Sequence, residues 1–194
     1  MHWVVFDYGE VIVARTTALP DLANRLGVPL GEFEEAYWAH RDDYDRGATD
    51  LEYWQAIGGQ LGVTVDAGFA EELAGVDVEG WGRTDPAVIE LLEALDEAGA
   101  ALALLSNASS SFGRWVEKQP WTRHFRHMLF SGDLGVMKPD RRIFELLVER
   151  LGAEPGDCLF FDDRQSNVDG AIAAGLRAYR WTGVSTVEDL KDLL

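Results

Sequence analysis

A doubly wound α/β parallel sheet with an inserted helical cap is the fold class this sequence predicts. Three observations carry that prediction: short apolar runs that each stop at polar residues, helical spacing between the later runs, and a long stretch after the first run with helical spacing and no convincing strand.

The first run, "HWVVFD" near 2–7, has a strand's length and no polar alternation, which suits a strand buried on both faces of a parallel sheet. Residues 15–80 follow, with helical patterns in "LPDLANRLG", "LGEFEEAYWAHRDDYDRG", "TDLEYWQAIGGQLG" and "DAGFAEELAG". These are expected to form a helical cap inserted into a core made of residues 1–14 and 81–194. A helix is predicted from Thr84-Asp85-Pro86, where a capping residue precedes a first-turn proline; Val88, Leu91, Leu92 and Leu95 share one face and Gly99 stops it. "AALALLSN" near 100–107 and "HMLFSGD" near 127–133 read as the next two strands. A helix after Lys138-Pro139 carries Ile143, Phe144, Leu147, Val148 and Leu151 before Gly152. "CLFFDD" near 158–163 is a fourth strand, and "RAYRW" near 177–181 a weaker fifth. Alternation of strand and helix from residue 81 onward makes the core a doubly wound, Rossmann-like sheet.

Composition narrows function by exclusion. With 194 residues, 47% apolar and 26% charged, the chain suits one domain or a core with a modest insert. A net charge of −17 argues against nucleic acid or an anionic membrane as partner. An anionic small substrate stays compatible, because surface carboxylates are screened beyond a Debye length of about 8 Å and a site's own charges outvote them. No basic leader and no long apolar segment is readable, so a cytoplasmic protein, monomer or homodimer, is expected. Cys158, the single cysteine, lies in "CLFF" and reads as a buried thiol.

Open parallel sheets bind ligands at the carboxyl ends of their strands. Asp7, Ser106-Asn107, Lys138 and Asp162-Asp163 all fall on that edge. Each alone has a bland reading: a turn at Asp7-x-Gly9, a helix cap at Ser106-Asn107, a solvated lysine at 138. The pair Asp162-Asp163 resists one, because adjacent carboxylates repel unless a cation or partner intervenes. Together they suit phosphoryl transfer. A carboxylate with an unperturbed pKa of about 3.9 is ionised at neutral pH and needs no activating base, only relief from the negative charge of its target. A divalent cation held by Asp7 and the late aspartates, the charge of Lys138 and the hydroxyl of Ser106 provide that relief, and hard oxygen ligands imply Mg²⁺.

In "FDYGEVI", "LLSN", "GVMKPD" and "FFDDRQSN", taken in that order, the chain resembles the haloacid-dehalogenase-like hydrolase superfamily along essentially its whole length. The resemblance implies that Asp7 is a nucleophile forming an aspartyl-phosphate. It implies that Ser106, Asn107 and Lys138 bind the phosphoryl group, with Lys138 stabilising charge. Asp7, the Gly9 carbonyl and Asp163 are implied as magnesium ligands, with Asp162 auxiliary and Asn167 ordering the loop. A small phosphorylated metabolite of the sugar phosphate kind is the implied substrate. One departure matters. Most family phosphatases carry a proton-donating aspartate two residues after the nucleophile, where this chain has Gly9. Losing a general acid costs about 10²- to 10⁴-fold, which suits an easily departing group such as an anomeric sugar oxygen. Glu10, His40, Asp42 or Asp45 are candidate substitutes.

The rivals are a 2-haloacid dehalogenase using the same carboxylate without metal and a degenerate member that only binds phosphometabolites. A signalling receiver is disfavoured, since receivers place the acidic pair before the acceptor aspartate. His124 and His127 read as surface histidines. The run "HRDDYDRG" reads as a solvated helix end, from which Arg41 or Arg46 could reach substrate. Phe33, Tyr37, Trp38, Tyr53 and Trp54 read as cap packing, with one or two walling the pocket.

Overall fold

The computed structural model describes residues 2–188. β1 (Trp3–Phe6) is buried at every position and leads to five helices: α1 (Leu19–Leu26), α2 (Leu30–Ala39), α3 (Arg41–Asp45), α4 (Asp50–Leu61) and α5 (Ala67–Gly80). Then follow α6 (Pro86–Glu97), β2 (Ala101–Ser106), α7 (Ser110–Val116), β3 (His127–Phe130), α8 (Ser131–Leu134), α9 (Arg141–Leu151), β4 (Cys158–Asp162), α10 (Gln165–Ala173), β5 (Arg177–Arg180) and α11 (Ser185–Glu188). Three sequence signals act as expected. Asp85 caps α6 by accepting from the Ala87 N–H, Pro86 opens that helix, and Gly152 ends α9 in the left-handed conformation.

The sheet has the order β3-β2-β1-β4-β5, and every pairing is parallel. Successive side chains of β1 point to opposite faces, so Val4 and Phe6 join one apolar layer and Trp3 and Val5 the other. The chain winds outward from β1 through β2 to β3, then crosses to β4 on the other side, which opens a crevice at the carboxyl edge beside β1.

The helical segment between β1 and α6 has its own apolar core, centred on Leu22, Phe33, Tyr37, Trp54, Ile57 and Leu73. Its two connections run side by side: Ala14 N–H donates to the Arg83 carbonyl and Thr17 N–H to that of Gly80. The far side also touches the sheet layer. Gly47, at φ 114°, lies so close to α8 that an added Cβ would sit 2.9 Å from the Gly132 carbonyl oxygen, so only glycine fits. Asp50 accepts from Tyr44 Oη at 2.7 Å and from Ser111 Oγ at 2.6 Å, tying the cap to α7.

Three expectations change. "HRDDYDRG" is not a solvated helix end, since Tyr44 and Asp45 are buried and the Arg41 side chain is 11% exposed. His124 is not at the surface; it is 6% exposed, with Nδ1 2.9 Å from Asp96 Oδ2. His127 is half-buried on β3 against Trp3, with ring centroids 5.4 Å apart. The strand expected near 127–133 ends at Phe130, because Ser131–Leu134 turns into α8. Cys158 is buried, and burial pushes its thiol up to about 11, as expected for an inert structural cysteine.

Candidate active site

β1 delivers Asp7 to the sheet edge, where its N–H donates to the Phe161 carbonyl of β4 at 2.9 Å. β4 delivers Asp162 and Asp163 alongside it, and β2 delivers Ser106 and Asn107 on the other side. Lys138 enters from the loop before α9. Its ammonium spends all three N–H groups: on Asp7 Oδ1 at 2.7 Å, Asp162 Oδ2 at 2.7 Å and the Leu105 carbonyl at 2.8 Å. The Lys138 side chain is fully buried, which is tolerable only because two carboxylates surround it. Burial works against its charge, but Asp162 and Asp7 overcome that and hold its pKa above the usual lysine value.

Two predicted site residues have commitments that their sequence positions did not suggest. Asn107 grips the Lys138 backbone with both ends of its amide, donating to the carbonyl at 2.9 Å and accepting from the N–H at 2.8 Å. Asp162 is fully buried, and its two oxygens accept from Lys138, from Asn167 Nδ2 at 2.9 and 3.0 Å and from the Arg164 N–H at 2.9 Å. Asp162 is therefore the fixed counter-charge of Lys138, and Asn167 is its brace. The Ser106 hydroxyl, by contrast, has no partner among the described residues although the side chain is buried in the cleft.

Asp7, Asp162 and Asp163 each offer a carboxylate oxygen, all within 4.8 Å of one another. Burial holds the Asp7 carboxyl up at about 7 against the lowering pull of Lys138, with Asp162 adding repulsion. Asp163 is likewise raised, by burial first and by Asp162 second. This donor set fits Mg²⁺: three hard anionic ligands face one ammonium, so the cluster lacks positive charge. Asp7 and Asp163 have oxygens to give; Asp162 has both of its own occupied.

The site opens into a cleft of about 460 Å³ walled on the cap side by Trp38, Arg41, Asp42, Asp45 and by Trp81 at the foot of α5. Of the two arginines singled out in the sequence, Arg41 lines this cleft, but its guanidinium is taken by Asp45 Oδ1 at 2.9 Å and Asp77 Oδ2 at 3.3 Å. Arg46 is not among the lining residues and lies 3.8 Å from Asp42 at the surface. His40, another candidate, instead contacts Gln60 at 3.0 Å. Trp38 is the expected aromatic wall, with Arg15 stacked at 5.4 Å from its ring. Asp77 and Arg15 escaped the sequence reading. Nothing in their local pattern marks them, because Asp77 is joined to its partners across 36 and 40 residues of chain.

A parallel sheet of this order, with carboxylates gathered at its carboxyl edge and a helical cover over them, defines a class of α/β hydrolases. The chain belongs to the haloacid dehalogenase-like hydrolases, whose family profile matches residues 1–175. It is 29% identical over 184 residues to the phosphatase MT3486 of Mycobacterium tuberculosis (strain CDC 1551 / Oshkosh), an alignment covering 91% of this chain and 85% of that one. Among solved structures it resembles the HAD family enzyme bt-2542 of Bacteroides thetaiotaomicron, described in complex with magnesium and inorganic phosphate. The TM-score is 0.77 and the identity 20%, over 96% of this chain and 98% of that one. It also resembles the L-2-haloacid dehalogenase of Xanthobacter autotrophicus with chloropropionic acid covalently bound. There the TM-score is 0.76 and the identity 20%, over 100% of this chain and 82% of that one. At such identities the two structures establish the fold. The chain is a hydrolase of this family, with phosphatases among its relatives. Among the described residues no helix is long and apolar enough to cross a membrane.

Proposed function

We propose that this hydrolase is a Mg²⁺-dependent phosphatase that cleaves a small phosphorylated metabolite, of the sugar phosphate kind, through an aspartyl-phosphate on Asp7. The observation that carries the reading is the charge of the site: three clustered carboxylates share one ammonium. A phosphoryl group bears its negative charge on the very centre that the anion attacks, so it needs a cation far more than displacement of chloride at carbon does. The phosphatases among the relatives support the same choice.

Asp7 and Asp163, with the Gly9 carbonyl, would hold the ion. When bound it supplies the positive charge that lets an anionic nucleophile meet an anionic phosphorus. Lys138 keeps the Asp7 Oδ1 oxygen in place and favours its ionised form against burial, and a bound cation would favour it further. Ser106 offers its free hydroxyl to a phosphoryl oxygen, while Asn107 acts through Lys138 by fixing its backbone.

The test is phosphate release from p-nitrophenyl phosphate against chloride release from 2-chloropropionate, each with Mg²⁺ or EDTA. Phosphate release that EDTA abolishes, lost by about 10³-fold or more in Asp7→Asn, is the expected result. Chloride release insensitive to EDTA would establish the dehalogenase instead, and an Asp7→Asn protein as active as wild type would remove Asp7 as nucleophile.

A further inference from the structure

Departure of an alkoxide or phenoxide needs a proton, and Gly9, two residues beyond the nucleophile, has no side chain to give one. The carboxyls that line the cleft are Asp7, Glu10, Asp42, Asp45 and Asp163. Asp7 and Asp163 are committed to the nucleophile and cation side. Glu10 and Asp42 sit at the water-exposed rim, Asp42 with a side chain 71% exposed. Asp45 differs from them all. Its side chain is 9% exposed, Oδ1 accepts from Arg41 Nε at 2.9 Å, and Oδ2 has no hydrogen bond among the described residues. Its backbone is fastened to the phosphate side of the cleft. The Ser131 hydroxyl donates to the Asp45 carbonyl and accepts at 2.9 Å from the N–H of Ala108, two residues after Ser106. One serine thus sets the height of Asp45 above the loop expected to bind the phosphoryl group.

We propose that Asp45 is the catalytic acid and base of this hydrolase, protonating the leaving oxygen from the cap side and so replacing a carboxyl that the nucleophile loop lacks. The inference rests on the phosphatase reading above. In the first half, Asp7 forms its bond to phosphorus. The bond from phosphorus to the ester oxygen breaks with its electron pair, and that oxygen takes the proton of Asp45 to leave as the alcohol. In the second half the Asp45 carboxylate takes a proton from water as the water oxygen attacks phosphorus, releasing phosphate and the Asp7 carboxylate.

The surroundings of Asp45 suit both halves. Arg41 on its own helix favours the carboxylate, while Asp42 on α3 and Asp77 on α5 oppose it. Tyr37 of α2 and Tyr53 of α4 face the same guanidinium as neutral hydroxyls, raised by burial. From α8, Ser131 contributes its neutral hydroxyl, and the charge of Asp133 is turned to Arg114 at 2.7 Å. Burial outweighs Arg41 and lifts Asp45 to about 6, where both protonation states are populated near neutrality.

The experiment compares p-nitrophenyl phosphate, whose leaving group departs without a proton, with phenyl phosphate, whose leaving group does not. In a single turnover with enzyme in excess, which reads the first half alone, Asp45→Asn is expected to slow phenol release from phenyl phosphate by about 10²- to 10⁴-fold and nitrophenol release from p-nitrophenyl phosphate by less than about tenfold. Asp77→Asn, which disturbs the same buried cluster but does not line the cleft, is expected to affect the two substrates alike. Gly9→Asp in the Asp45→Asn background restores the phenyl phosphate rate; its Cβ would meet Trp81 at an ordinary 3.7 Å. The wild-type protein gives a readout that needs no variant: the single-turnover rate of phenol release from phenyl phosphate falls above about pH 6, while that of nitrophenol release does not. Equal losses on both substrates in Asp45→Asn, or matching pH profiles in wild type, overturn the inference and leave the phosphatase reading standing. Wild type that releases phosphate from neither substrate overturns the reading itself.

Discussion

At the scale of single residues, the positions of Asp7, Ser106 and the late aspartates were legible because a parallel strand that stops at a polar residue must present it at the carboxyl edge, while Lys138 joins them from the loop before α9. Their partners were not. That Asn107 clasps the Lys138 backbone, and that Asp162 spends both oxygens on Lys138, Asn167 and Arg164, follows from three loops meeting in space. Glu10 shows the same limit from the other direction. It sits at φ 56°, a left-handed conformation that costs a residue with a Cβ roughly 1–2 kcal/mol, and its letter in "FDYGEVI" gives no hint of it. Because it borders the cleft, this strain belongs to the site's backbone shape. Glu10→Gly is therefore expected to stabilise the fold by about 0.5–1 kcal/mol once the extra freedom of unfolded glycine is subtracted. A thermal melt should show a rise of about 2–3 °C; an unchanged or lower midpoint would mean that the Glu10 side chain compensates its backbone.

At the scale of elements, the strands, the α6 cap and the ends of α9 follow from local chemistry, and the sequence displays it. α3 does not behave that way. Its acidic pattern reads as solvated, yet Arg41 lies between Asp45 and Asp77, with Tyr37 Oη bonded to Asp77 Oδ1 at 2.7 Å and to Arg41 Nη1 at 2.7 Å. Trp81 Nε1 joins at 3.1 Å and Tyr8 Oη reaches the Trp81 carbonyl at 2.9 Å, so the cluster runs from the helical segment to the residue beside Asp7. A helical wheel of α3 cannot reveal this, since the burying partners come from α2 and α5. Removing the central cation leaves two buried carboxylates without a counter-charge, which costs about 3–5 kcal/mol. Arg41→Ala should thus lower the melting midpoint by about 10 °C, while exposed Arg46→Ala should change it by about 1 °C or less. Equal effects would show that the cap does not depend on this cluster.

At the scale of the whole molecule, the legible part is topology: β1 at the centre, β4 on one side and β2 on the other, which brings residues 7, 106, 138 and 163 to one crevice. The balance of charge is the part that composition only hinted at. A net charge of −17 is joined to buried carboxyls whose pKa values the fold raises, Asp45 from 3.8 to about 6 and Asp7 from 3.8 to about 7. A raised carboxyl binds more protons folded than unfolded between those values, so its contribution to stability grows as pH falls from about 7 toward 4. Glu52 and Glu145, held below the usual range by Thr49 and by Arg141, oppose this only near pH 4. The protein in EDTA is therefore expected to melt at least about 3 °C higher at pH 5.5 than at pH 8. Added Mg²⁺ should narrow the gap by stabilising the ionised site at pH 8. A metal-free protein more stable at pH 8 would contradict the burial of these groups.

The central claim is that Asp7 carries the phosphoryl group, and chemical trapping tests it most directly. Enzyme in excess over p-nitrophenyl phosphate, acid-quenched within the first turnover and reduced with borohydride, should yield homoserine at position 7 by mass spectrometry, with Asp162 and Asp163 unchanged. An intact Asp7 in a sample that has already released its nitrophenol and holds no phosphoenzyme, or a reduced residue elsewhere in the chain, would contradict the account.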